Sequence, residues 1–141
     1  MTILHSEEEM IDFGQQLGEQ ILNSKINLVE LIGDVGSGKT TITKGIAKAL
    51  SVSEAVTSPS FTIAKRYPGK SHILAHYDFY RLPDPGLMSE DLFESISDPK
   101  TITVVEWAES VSDVLPEKHL SVKITLNEDG SRSVTVSGDK K

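Results

Sequence analysis

The stretch GDVGSGKTT, Gly33 to Thr41, decides how this chain is read. Gly33, Gly38, Lys39 and Thr40 occupy every fixed position of the pattern G-x-x-x-x-G-K-[ST]. Glycine tolerates backbone conformations that a side chain would block, so successive N–H groups can curl around phosphate oxygens. A lysine at this spacing places a point charge on the terminal phosphates. The threonine hydroxyl that follows can ligate a magnesium ion bridging them. With glycine at roughly 7% of residues, chance yields such a match in on the order of one in several hundred chains of this length. The expected nucleotide contacts are therefore Gly36, Ser37, Gly38, Lys39, Thr40 and Thr41.

The flanks agree with that mechanism. INLVELIG (26–33) is short, apolar and β-branched, as a buried parallel strand should be. From Lys39 onward the period changes, with Ile42, Ile46, Ala49 and Leu50 on one side of a helix. That helix aims its positive N-terminal end at the same anion. Gly45 weakens it without breaking it.

Upstream, Ser6 and Glu9 have capping-box spacing, and Met10, Phe13, Leu17 and Ile21 recur at helical intervals, predicting a first helix over about 6–23. Asp12-Phe13-Gly14 falls inside it and has no kinase context. Downstream, residues 61–67 and 72–80 flank Pro68-Gly69 as a predicted hairpin. LPDPGLMSEDLFESI predicts a turn into a short helix, and TITVVEW (101–107) a second buried strand. HLSVKITL and SRSVTVS, joined by NEDG, predict a last hairpin. The fold class expected is α/β: one P-loop NTPase domain over residues 1–141, with a mixed, mainly parallel sheet, flanking helices and frayed final residues.

A P-loop enzyme needs a carboxylate at the end of a neighbouring strand for its magnesium shell. Glu106, after the apolar run of TITVVEW, fills that description and joins Thr40 as an expected metal residue. Asp78 in HYDFYR is the candidate to orient the attacking water, so Lys39, Asp78 and Glu106 form the expected catalytic set. His76 and Asp78 share a strand face, a spacing that suggests a metal pair but more simply a surface pairing. Arg81 is a candidate internal cation, and VTSPSF (56–61) lies where switch loops of nucleotide hydrolases sit.

Composition and absences narrow the class. The 141 residues carry a formal net charge of −7 and no cysteine. Thiolate zinc sites and cysteine nucleophiles are excluded. A chain this acidic has no basic footprint for a nucleic-acid backbone, so direct binding of DNA or RNA is not expected and any connection to RNA runs indirectly, through a protein partner. MTILHSEEEM lacks the basic and apolar regions of a secretory signal, and no run approaches the ~20 apolar residues of a membrane span, so cytoplasm is expected. There is no N-K-x-D segment for guanine and, with three arginines, little material for a kinase lid. What remains is a minimal ATP hydrolase; a small-metabolite kinase or a nucleotide-dependent switch without turnover are the alternatives.

GDVGSGKTT, TSPSFT, HYDFYRL followed by DP, and VVEWAE, in this order and spacing, resemble the TsaE (YjeE) family, the bacterial ATPase component of the tRNA threonylcarbamoyladenosine pathway. The similarity runs over about residues 6–126. It implies ATP and Mg2+ as ligands and TsaB and TsaD as protein partners. It further implies a role in regulating or resetting the assembly that modifies the adenosine beside the anticodon. By motif matching, Lys39 and the loop backbone would hold phosphates, and Thr40 and Glu106 the magnesium. Asp78 would support hydrolysis, Thr57 to Thr62 would form the switch loop, and Trp107 would lie beside the metal site.

Overall fold

Two strands are buried along most or all of their length, and they form the middle of the sheet. In the computed structural model, which describes residues 1–34, 36–57, 64–79, 87–108, 115–116 and 119–138, these are β2 (Leu28–Ile32) and β5 (Thr101–Glu106). Every residue of β5 is buried, and Leu28, Val29 and Leu31 are at most 1% exposed. Burial on both faces is what a continuous aliphatic run requires, and a central parallel strand supplies it.

The remaining strands are β1 (Thr2–Leu4), β3 (Ala64–Pro68), β4 (Ile73–Asp78), β6 (Leu120–Leu126) and β7 (Arg132–Gly138). The seven form one sheet in the order β1-β7-β6-β2-β5-β4-β3. β6, β2, β5 and β4 run parallel to one another. The β3–β4 and β6–β7 pairs are antiparallel hairpins on either side of this parallel centre. The result is the mixed, mainly parallel P-loop α/β sheet that the sequence predicts.

The last hairpin turns through the predicted NEDG: the Asn127 N–H donates to Ser131 O at 2.8 Å, and Gly130 takes φ +89°. Strand β1, paired antiparallel to β7 with Leu4 opposite Arg132, is an addition to the predicted elements. It is three residues long with only Leu4 buried, too short to show a period. Residues 58–63 and 80–86, parts of the predicted hairpin and turn, and 139–141, expected to fray, lie outside the described residues.

Helices α1 (Glu7–Leu22) and α2 (Lys39–Ala49) cover one face, packing on Val29, Leu31, Leu74, Val104, Val122 and Ile124. α3 (Leu87–Ser97) covers part of the other, with Leu92 against Leu28, Ala75, Tyr77 and Val105. There the Tyr77 hydroxyl donates to Asp91 Oδ2 at 2.5 Å, and burial together with this bond raises its pKa. The Ser6 hydroxyl accepts the Glu9 N–H at 3.1 Å, as the capping box predicts. Glu9 Oε1 reaches back one residue further than that motif usually does, to the His5 N–H at 2.7 Å. No helix among the described residues is long and apolar enough to cross a membrane.

α1 and α2 approach closely through glycine. A Cβ on Gly14 would stand 2.3 Å from Ile42 O, and one on Gly45 2.2 Å from Ile11 O. Gly45, a weak spot by propensity alone, is therefore where the two backbones meet. Propensity predicts that Gly45→Ala stabilises the chain by up to ~1 kcal/mol; overpacking at this contact predicts the opposite sign, a loss of roughly 1–3 kcal/mol. A lowered urea midpoint with an unchanged slope is the expected outcome, and a raised one contradicts the packing described here.

Candidate nucleotide-binding site

β2 ends at the C-terminal edge of the parallel strands, where open α/β sheets place their ligands. The chain leaves it through Gly33 and Asp34 and enters α2 at Lys39. Gly36 at φ +82° and Gly38 at φ +108° occupy the left-handed region that favours glycine. The Ser37 N–H closes the turn on Asp34 O at 3.0 Å. A Cβ on Gly33 would fall 2.5 Å from Ser37 Oγ and 2.8 Å from Ile124 O, so the loop folds tightly over the end of β6.

The two long helices begin differently. α1 has a serine N-cap whose side chain accepts a backbone N–H; α2 has Gly38, with no side-chain cap bond. The N–H groups of the first turn of α2, which includes Lys39, Thr40 and Thr41, are thus left without a side-chain acceptor at the cap. The Ser37 hydroxyl beside them is buried and has no hydrogen-bond partner among the described residues. A cradle of N–H donors with an orphaned buried hydroxyl fits an oxyanion ligand such as phosphate.

Lys39 points into this loop and is 6% exposed. Its Nζ donates to Gly33 O at 2.5 Å, stands 4.0 Å from Glu106 Oε1, and lies 4.0 Å from the centre of the Trp107 ring. Glu106 terminates β5 and is 3% exposed. Trp107 follows with φ +56°, a left-handed conformation that a non-glycine residue adopts at a cost of order 1–3 kcal/mol. This sharp exit turns the indole onto the lysine while Glu106 stays in the sheet.

Asp78 ends β4 directly opposite Glu106 in the parallel register and is half-buried. The α1/α2 face of the sheet therefore presents Asp78 and Glu106 side by side at the edge where the loop begins. His76 departs from the expectation of a surface pairing with Asp78: it is completely buried, and its Nε2 lies 2.5 Å from Glu106 Oε2. Diagonal register across β4 and β5, with His76 opposite Val104, brings these two together instead.

Thr40 and Thr41 are half-buried in the first turn of α2. The described residues hold no cluster of three or more His, Cys, Asp and Glu that could bind a metal by itself. A hydroxyl and carboxylate oxygens are nonetheless the hard donors that suit magnesium, an ion that completes its shell with substrate phosphates and water. Of the predicted switch loop, Thr57 is described: its hydroxyl accepts from Lys65 Nζ at 2.9 Å, while 58–62 and Arg81 lie outside the described residues.

One residue outside the predicted set reaches the loop. From β7, Arg132 Nε donates to Ser37 O at 3.1 Å and Nη2 to Gly36 O at 3.5 Å, with Nη1 on Gly130 O at 3.2 Å. The guanidinium fork turns those carbonyls away from the cradle, and only the sheet register brings it there. A cleft of about 590 Å³ opens beside the loop, lined in part by Ile32, Asp34, Ser37, Trp107, Lys123 and Leu126.

A family model described as Threonylcarbamoyl adenosine biosynthesis protein TsaE matches residues 4–134. The tRNA threonylcarbamoyladenosine biosynthesis protein TsaE of Streptomyces coelicolor is 41% identical over 118 residues, covering 79% of this chain and 80% of that one. Its namesake in Nostoc sp. is 33% identical over 137 residues, covering 95% and 83%. The crystal structure of Bacillus subtilis YdiB aligns at a TM-score of 0.76 and 27% identity over 97% of this chain and 83% of that chain. With the family model matched over residues 4–134 and these relatives 33–41% identical over most of its length, this chain belongs to the TsaE family of tRNA threonylcarbamoyladenosine biosynthesis proteins.

Proposed function

We propose that this protein is a magnesium-dependent ATP hydrolase that serves tRNA threonylcarbamoylation together with TsaB and TsaD, regulating or resetting their assembly. The observation that carries the reading is the buried lysine of an uncapped glycine loop, facing Glu106 where that residue and Asp78 end adjacent parallel strands. The loop N–H groups and Lys39 hold the phosphate chain, for which Lys39 exchanges Gly33 O for a phosphate oxygen. Thr40 and Glu106 hold magnesium, which when bound neutralises charge on the terminal phosphates. Asp78, half-buried beside Glu106, orients the attacking water and accepts its hydrogen bond. Water's oxygen bonds to the γ-phosphorus, the bond to the bridging oxygen breaks, and ADP and phosphate leave.

The net charge of −7 supports an accessory that reaches tRNA through proteins rather than by gripping its backbone. The cytoplasm is the compartment this reading places it in.

Lys39→Ala removes a charge-assisted contact worth roughly 1.5–3 kcal/mol, so ATP affinity falls about 10- to 100-fold by calorimetry. Wild-type affinity in that variant contradicts the cradle. Asp78→Asn binds ATP normally and loses at least about 100-fold in phosphate release, within the range of general acid–base contributions. Full turnover in Asp78→Asn points to another water-orienting group. With γ-labelled ATP, label accumulates in free phosphate; label in a small metabolite identifies a kinase instead.

The pathway assignment is tested in cells. A strain lacking this protein loses threonylcarbamoyladenosine from its tRNA by nucleoside mass spectrometry, and the wild-type gene restores it. An unchanged nucleoside level refutes the assignment.

A further inference from the structure

We propose that His76 is the positioning residue for Glu106, fixing which carboxylate oxygen faces the phosphate loop. The proposal rests on the reading of Glu106 as a magnesium ligand and adds a residue that acts only through it.

The carboxylate has two oxygens with different neighbours. Oε2 is 2.5 Å from His76 Nε2, and Oε1 faces Lys39 Nζ at 4.0 Å. A carboxylate that holds a metal accepts and does not donate, so on that reading the hydrogen in the short contact sits on Nε2, which donates. Nδ1 is buried with no partner among the described residues. Among the described residues, the side chain of His76 bonds only to Glu106.

His76 is 0% exposed on a face where it sits among Leu74, Val104, Val29 and Leu31, with Asp78 and Glu106 at the edge. An aliphatic residue there would pack without leaving a polar atom orphaned, so packing alone does not account for an imidazole. What the imidazole supplies is direction. Glu106 lies at the last position of β5, and the chain turns away immediately through the left-handed Trp107. Without a donor on Oε2, the carboxylate is free to turn either oxygen toward the Lys39 ammonium. With it, Oε1 is held toward the loop. Partners that orient a metal's carboxylate ligand in this way typically change metal affinity or activity about 10- to 100-fold when removed.

Two variants separate direction from packing. His76→Leu keeps the volume and removes the donor; His76→Gln keeps an N–H that reaches toward Glu106. ADP binding is measured by calorimetry in EDTA and across a Mg2+ series, with the urea midpoint recorded for each protein. In His76→Leu the Mg2+ concentration giving half the tightening rises about 10- to 100-fold, while affinity in EDTA stays within about twofold; His76→Gln recovers most of the shift. An unshifted Mg2+ midpoint in His76→Leu, or equal shifts in both variants, overturns the proposal alone. A wild-type protein whose ADP affinity ignores Mg2+ overturns it together with the metal reading of Glu106. Free of any ligand, 15N spectra of the histidine rings report Nε2 of His76 protonated and its signal displaced in Glu106→Ala; an Nδ1-protonated ring overturns the proposal even where no variant folds.

Discussion

A lysine ammonium buried to 6% exposure must be compensated, and the site is arranged around that requirement. Lys39 is compensated from three directions: a carbonyl at the start of its own loop, a carboxylate at the end of β5, and the face of an indole one residue beyond. The carbonyl is local to the loop, whereas the carboxylate and the indole, on consecutive residues, reach the lysine because β2 and β5 are adjacent and parallel with their ends aligned. The glycines at 36 and 38 let the loop turn back on itself, and Arg132 ties two of its carbonyls to β7. These contacts surround the lysine in a form that a phosphate can take over, since Gly33 O and the phosphate oxygens compete for the same Nζ hydrogens.

The same geometry explains why the two acidic positions differ. Glu106 is enclosed, bonded to His76 and held in the sheet, whereas Asp78 lies opposite it and is only half-buried. An enclosed carboxylate of fixed direction suits a metal; a partly open one beside it suits a water. Neighbouring carboxylates repel, and the Lys39 ammonium facing Glu106 offsets part of that repulsion. An otherwise acidic chain thus keeps its positive charge where a nucleotide would meet it.

Much of this was legible in the residues. The short, apolar, β-branched character of 26–33 and 101–107 pointed to central strands, and the spacing of Gly33, Gly38, Lys39 and Thr40 to a phosphate loop. The α1 cap and period placed that helix within a residue or so of its observed ends. What stayed hidden depends on long-range register. His76 meets a residue 30 positions away, and Arg132 reaches back 95 positions to Ser37. Neither leaves a local pattern, and the Asp78 spacing drew His76 toward a surface reading. Gly45 read as a helix defect because propensity sees one helix at a time and not the α1 backbone against it. β1 was missed for its length, since three residues cannot display alternation.

Whether the glycine loop, Lys39 and Glu106 form one nucleotide and metal site is decided by a crystal structure with a non-hydrolysable ATP analogue and Mg2+. Expected are phosphate oxygens on the N–H groups of residues 36–41, Lys39 Nζ moved from Gly33 O to a phosphate, and a metal ion held by Thr40 and Glu106. A nucleotide bound elsewhere, with Lys39 still on Gly33 O and no metal near Glu106, contradicts the single site.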